Sequence, residues 1–147
     1  MKVFLDANVI LDIYDNQRKY HLFSIKTYEY LIENSQIFTS CDLITTIYYV
    51  NAKVDKKQAL LNIQLINKTL KIIEFSNKEV EETCKLMLED TDYKDLEDTI
   101  QYILAKKHKC DILISNDKEF TSKDIKILTS EEFYKKYIVP IEEHKNF

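Results

Sequence analysis

Short apolar runs alternate along this chain with longer stretches whose apolar residues recur every three or four positions. Val3-Phe4-Leu5 is a compact run between Lys2 and Asp6, the pattern of a short buried strand. Asn8 to Asp15 predicts a brief helix with Val9, Ile10 and Ile13 inward, and His21 to Asn34 a longer one carrying Leu22, Ile25, Tyr28, Leu31 and Ile32. Gln36 to Thr39 predicts a second strand. Helices follow from Asp42 to about Val54, with Leu43, Ile47 and Val50 inward, and from Lys56 to Leu70, through Ala59, Leu60, Ile63 and Ile66. Lys71 to Phe75 reads as a third strand, after which Asn77 is placed to cap a helix reaching about Glu89. Asp95 to Lys109 gives the clearest helical spacing, at Leu96, Ile100, Ile103 and Leu104, with lysines suited to the negative end of its dipole. Asp111 to Ile114 predicts a fourth strand and Lys126 to Leu128 a fifth, before a short helix capped by Ser130 with Glu132 in its first turn.

Short strands alternating with amphipathic helices predict an α/β fold: a central parallel sheet of four to five short strands flanked by helices. No linker, repeat or low-complexity tract divides the chain, so residues 1–147 are expected as one domain, with a loose tail over about 138–147. Right-handed crossovers would bring the carboxyl ends of the strands to one edge, where ligands bind in open α/β sheets.

Composition removes several function classes. The chain has no Gly and one Pro, Pro140. Phosphate-cradling loops of the Walker or dinucleotide type need glycines at fixed positions and are excluded. Tight turns fall to Asn, Asp, Ser or Lys. Cys41, Cys84 and Cys110 are far apart without a CxxC pair, so neither a zinc site nor a disulfide framework is indicated, and a reducing, cytoplasmic setting is expected. The opening Met1-Lys2-Val3-Phe4-Leu5-Asp6 breaks its apolar run too early for a signal peptide, and no stretch approaches the roughly 18 apolar residues of a membrane span, so no membrane partner is expected. Net charge is −4, so contact with nucleic acid must rely on local lysines. Lys56-Lys57 and Lys106-Lys107-His108-Lys109 read first as solvated helix ends. His21, His108 and His144 lack ligand spacing and are expected at the surface; Tyr48 and Tyr49 are expected in the core or an interface.

Acidic residues carry the candidate chemistry. Asp6, Asp42, the pair Asp95 and Asp98, and Asp117 each stand where a strand ends or a helix begins. Every one has an ordinary explanation, as a helix cap, a dipole partner or a turn residue. Their joint occurrence at strand ends points further. Two bare carboxylates 4 Å apart repel by roughly 4 kcal/mol at an effective dielectric of about 20. A fold that gathers them calls for a bound cation, and oxygen-only ligands suit a hard divalent ion. Asp95 and Asp98 share one helix face, while Glu97 is expected to point away as a surface charge.

Three segments resemble the motifs of PIN-domain nucleases, many of which are VapC-type toxins of bacterial toxin–antitoxin pairs. They are Leu5-Asp6-Ala7-Asn8-Val9-Ile10-Leu11-Asp12, Asp95-Leu96-Glu97-Asp98, and Ile114-Ser115-Asn116-Asp117-Lys118-Glu119-Phe120. The resemblance spans nearly the whole chain. It implies a Mg²⁺- or Mn²⁺-dependent endoribonuclease in which Asp6, Asp98 and Asp117 bind metal and Asp95 is an auxiliary acid. Asn8, Ser115 and Asn116 would support them. It also implies an RNA substrate, a small antitoxin partner and a homodimer.

One position departs from the pattern. The family usually carries an acid on the helix after the second strand, and Thr46 stands there in Ser40-Cys41-Asp42-Leu43-Ile44-Thr45-Thr46. Asp42, four residues earlier on the same face, reads either as a helix N-terminal acid or as a partial replacement. Thr46 leaves an alternative function in play, a degenerate PIN-like domain that binds RNA or protein without cutting. Phosphoryl-handling α/β proteins fit less well: Asn8 stands where haloacid-dehalogenase-like phosphatases carry a second Asp. Response-regulator receivers need an acid pair after the first strand that this chain lacks.

Overall fold

The computed structural model describes residues 1–145. Five strands form one parallel sheet: β1 (Lys2–Leu5), β2 (Gln36–Ser40), β3 (Lys71–Ile73), β4 (Ile112–Ile114) and β5 (Lys126–Leu128), in the order β3-β2-β1-β4-β5. The helices are α1 (Ala7–Tyr14), α2 (His21–Asn34), α3 (Cys41–Ala52), α4 (Lys56–Thr69), α5 (Asn77–Glu89), α6 (Leu96–Lys107), α7 (Ser130–Phe133) and α8 (Val139–Lys145). A π-helical turn, Tyr134–Ile138, joins the last two.

Period-two alternation along the strands makes both layers. Val3, Leu5, Ile37, Ile112 and Ile114 point to one face, against Val9, Ile10, Leu31, Leu43, Ile47, Ile66 and Phe133. Phe4, Phe38, Ile73 and Leu113 point to the other, against Ile100, Leu104, Cys110 and Phe120. Covered on both faces, Val3, Phe4 and Leu5 have no exposed surface, as expected for a central parallel strand.

Strand order reverses at β1, which pairs with β2 on one side and β4 on the other. Crossovers therefore leave in opposite directions from β1 and β4, opening a crevice between their carboxyl ends. Leu5 lies opposite Ile114 in the register, and the Asp6 amide donates to the Ile114 carbonyl at 3.0 Å. That one bond sets the segment after β1 against the segment after β4.

Several local expectations shift. The third strand ends at Ile73, two residues before Phe75. Asn77 is the first residue of α5, and the extended Ser76 occupies the cap position. Thr129 caps α7 in place of Ser130, because Thr129 and Glu132 close a reciprocal capping box. In α2, Leu22 and Ile32 are exposed while Ser24 and Thr27 are fully buried. That face meets the start of α7, where Ser24 donates to Ser130 Oγ and Thr27 to the Ser130 carbonyl. Leu60 and Leu96 also face outward, as does Tyr49. His21 and His108 are half-buried rather than superficial. Lys109 adopts φ 57° just past α6, a left-handed position that glycine usually fills and that this glycine-free chain gives to lysine. The stretch 138–147, expected as a loose tail, is helical as far as Lys145, and Asn146 and Phe147 lie outside the described residues. Among the described residues no helix is long and apolar enough to cross a membrane.

Candidate active site at the carboxyl edge of the sheet

Asp6 leaves β1 directly into the crevice and caps α1. Its Oδ1 accepts from the Ala7 amide at 2.7 Å, and its Oδ2 accepts from Asn8 Nδ2 at 3.0 Å and Ser115 Oγ at 2.8 Å. Burial raises its pKa. Hydrogen bonding by Ser115 and Ala7 and the approach of the Gln101 amide offset part of that rise, and the Asp117 charge adds to it.

The turn after β4 is tied to the same point. Asn8 Nδ2 also donates to Ser115 Oγ at 3.1 Å, and Asn8 Oδ1 accepts from the Asn116 amide at 2.9 Å. Ser115 Oγ accepts from the Asp117 amide at 3.2 Å, and Asp117 Oδ1 from the Glu119 amide at 2.9 Å. Asn8 and Ser115 thus stitch two strand ends into one unit. Asp117 projects from it, exposed at the rim.

Asp95 and Asp98 enter from α6. Asp95 caps that helix by accepting from the Asp98 amide at 2.9 Å, which fixes Asp98 in the first turn facing the crevice. Burial pushes the pKa of Asp98 up to about 7, reinforced by Asp6, Asp95, Asp117 and Glu97. Asp95, Asp98 and Asp117 line a cleft of about 370 Å³ together with Tyr93, Lys94 and Thr99. Asp95, Asp98 and Asp117 thus share one opening, and the charge of the buried Asp6 reaches Asp98 from the end of β1. Among the described residues no lysine, arginine or histidine forms an ion pair with any of them.

Glu97 bears out one expectation and qualifies another. It is exposed, as expected of a surface charge, yet it is not isolated: partial burial raises its pKa, followed by the charges of Asp42, Asp6 and Asp95. Asp42 accepts from Ser40 Oγ in the first turn of α3, and Thr46 lies half-buried one turn further along.

A second polar network behind the site was not anticipated. Asp12 is 4% exposed, accepts from Arg18 Nε and Asn116 Nδ2, and its carbonyl meets His21 Nδ1 at 2.7 Å. Asn116 Nδ2 donates to Ser24 Oγ at 3.2 Å, Ser24 to Ser130 Oγ at 3.0 Å, and Ser130 back to Asn116 Oδ1 at 2.9 Å, closing a ring. Asp12 was legible as a charge inside the buried stripe of α1, one turn after Asn8. Ser24 and Ser130 gave no such signal, since each resembles an ordinary helix residue.

The oxygen-only, uncompensated acids fit a hard divalent cation in kind. Among the described residues no three acidic side chains already surround a common point. Magnesium commonly keeps several waters and takes one or two carboxylates, so such an ion does not require three acids at one point.

The PIN-domain family model matches residues 3–126. The chain belongs to the PIN-domain family. Ribonuclease VapC1 of Aquifex aeolicus is 50% identical over 137 residues, covering 92% of this chain and 95% of that protein. In three dimensions this PIN domain is similar to a toxin–antitoxin complex from Klebsiella pneumoniae, at TM-score 0.67 and 20% identity, covering 87% of this chain and 97% of that one. It is also similar to VapC20 of Mycobacterium tuberculosis, a sarcin–ricin loop cleaving toxin, at TM-score 0.68 and 10% identity, covering 80% and 92%.

Proposed function

We propose that this chain is a Mg²⁺- or Mn²⁺-dependent endoribonuclease and the toxin of a toxin–antitoxin pair. The observation that carries the chemistry is the uncompensated acid cluster at the β1/β4 crevice, with Asp98 raised to about 7 by burial and neighbouring acids. Half identity to a ribonuclease over nearly the whole chain supports the substrate class.

Asp6, Asp98 and Asp117 would hold the ion, with Asp95 fixing Asp98 and Asp42 and Glu97 adding negative charge nearby. When bound, the ion favours ionisation of water and stabilises charge on the attacked phosphate. The chain's own part is positional. Asn8, Ser115 and the Ala7 amide lock Asp6 in one rotamer, and the Asp12–Asn116–Ser130 network holds the Asp117 turn. Asp98, ionising near neutrality, gives up a proton from its carboxyl when a cation replaces it. Lys94 lines the cleft, and Arg18, Lys19 and Tyr20 line an adjoining groove that shares Asp117. Lys94 and Lys19 offer RNA phosphates a path past the acids that the net charge of −4 alone does not.

Purified protein should cleave total RNA with Mn²⁺ and not with chelator; absence of cleavage in both refutes the reading. Ser115→Ala, which deletes one of the three bonds to Asp6, should weaken Mn²⁺ affinity by about 10- to 100-fold. Calorimetry reads this, and wild-type affinity in the variant would show that Ser115 does not orient the site. A non-cutting binding module is the second reading, favoured by Thr46 in place of an acid, and saturable Mn²⁺ binding with RNA cleavage excludes it.

The proposed partners are a small antitoxin and a second copy of the chain. Solved structures of this fold include a toxin–antitoxin complex. Val54, Leu60, Leu61 and Leu65, all exposed around α3 and α4, provide apolar surface for a partner to cover.

A further inference from the structure

Gln101 lies wholly within the protein, at 0% exposure, and among the described residues neither its Nε2 nor its Oε1 has a hydrogen-bond partner. A buried primary amide left unmade is a cost to folding, and such groups call for an explanation by function or by a water or ion that completes them. Gln101 stands three residues after Asp98 and four after Glu97 on α6, so it shares their face one turn deeper. Gln101 is also among the side chains that act on the Asp6 carboxyl, which puts its amide near the end of β1. The unpartnered amide therefore lies beneath the acid cluster, buried on the same helix face as Asp98. Leucine or methionine would fill a similar volume without leaving polar atoms unpaired.

We propose that Gln101 is a positioning residue of the metal-loaded site, its Nε2–H orienting Asp6 and its Oε1 accepting from a water in the shell of the bound divalent ion. The inference rests on the metal-dependent reading above. It assigns the folding penalty of the metal-free protein to a contact completed on loading. Oxygen and nitrogen ends have separate tasks, which an apolar isostere cannot perform and a purely structural glutamine would not need.

The test compares wild type with Gln101→Met and Gln101→Leu, measuring thermal unfolding without metal and Mn²⁺ affinity by calorimetry. Metal-free variants should melt at or above the wild-type temperature while binding Mn²⁺ about 10- to 100-fold more weakly. A folded variant with wild-type Mn²⁺ affinity overturns the proposal, whatever its melting temperature. Should neither variant fold, Mg²⁺ titration of the ¹⁵N-labelled wild type decides. The Gln101 side-chain amide signals should shift and saturate with binding; signals that do not move overturn it. If the wild type binds neither ion, the metal-dependent reading falls together with this one. If the wild type binds and the variants bind equally well, only the role of Gln101 falls.

Discussion

Asp98→Asn should reduce RNA cleavage by about a thousandfold, because a metal-held carboxylate contributes several kcal/mol of charge stabilisation and each 1.4 kcal/mol is a factor of ten. The same variant should make the metal-free protein more stable at pH 8. The sign follows from the pKa: Asp98 titrates at about 7 in the folded chain against 3.8 for an unperturbed aspartate. A carboxyl raised in this way favours the fold while protonated; the benefit is complete below about pH 4 and is lost as pH climbs through 7. Asparagine has no such dependence. The stability difference between variant and wild type should therefore grow from pH 4 to 7 and then level off. Mg²⁺ should narrow it at pH 8, since neutralising the cluster removes the repulsion that the variant relieves. Chemical denaturation across that range, with and without Mg²⁺, checks the claim. A difference that is flat with pH contradicts the crowding of acids around Asp98.

Asp12→Ala should lower stability by about 2 kcal/mol and slow cleavage while leaving every acid of the cluster in the sequence. Losing one partner of a fully buried ion pair typically costs about 3–5 kcal/mol. The Arg18 side chain is 35% exposed, so it rehydrates and the loss is smaller. What remains is Asn116, which loses its Asp12 acceptor while holding Ser24 and Ser130. Asn116 is the residue before Asp117, so loosening its side chain frees the turn that presents that acid. Arg18→Ala should cost less, because Asp12 keeps its bond from Asn116. Urea unfolding that places Asp12→Ala within about 0.5 kcal/mol of wild type would show the network to be incidental.

The contrast between Asp6 and Gln101 shows what could be read from sequence. Asp6 follows a three-residue apolar run and precedes a helical pattern, and Asp117 follows another such run. Local periodicity placed both at strand ends, and the handedness of crossovers placed both ends at one edge. Asp95 and Asp98 share a helix face by spacing alone. Strand order, which decides that β1 neighbours β4, came only with the structure, and with it the Asn8–Ser115 stitch. Glu97 is exposed as its spacing implied, but face arguments on a first helical turn ignore the charges of Asp6 and Asp42 that the neighbouring strand ends bring within reach of it. Ser24 and Thr27 were hidden for a related reason: α2 packs against the polar start of α7, so its buried face favours hydroxyls and Leu22 and Ile32 turn outward. Ser130 looked like a cap until Thr129 and Glu132 took that task and left it to Asn116.

Anomalous diffraction from crystals soaked in Mn²⁺ tests the central claim most directly. The account predicts one or more peaks in the β1/β4 crevice, with carboxylate oxygens of Asp6 or Asp98 at roughly 2.0–2.2 Å, close to the distance expected for a small hard ion. No peak there at saturating Mn²⁺, or manganese bound only elsewhere on the surface, would contradict it.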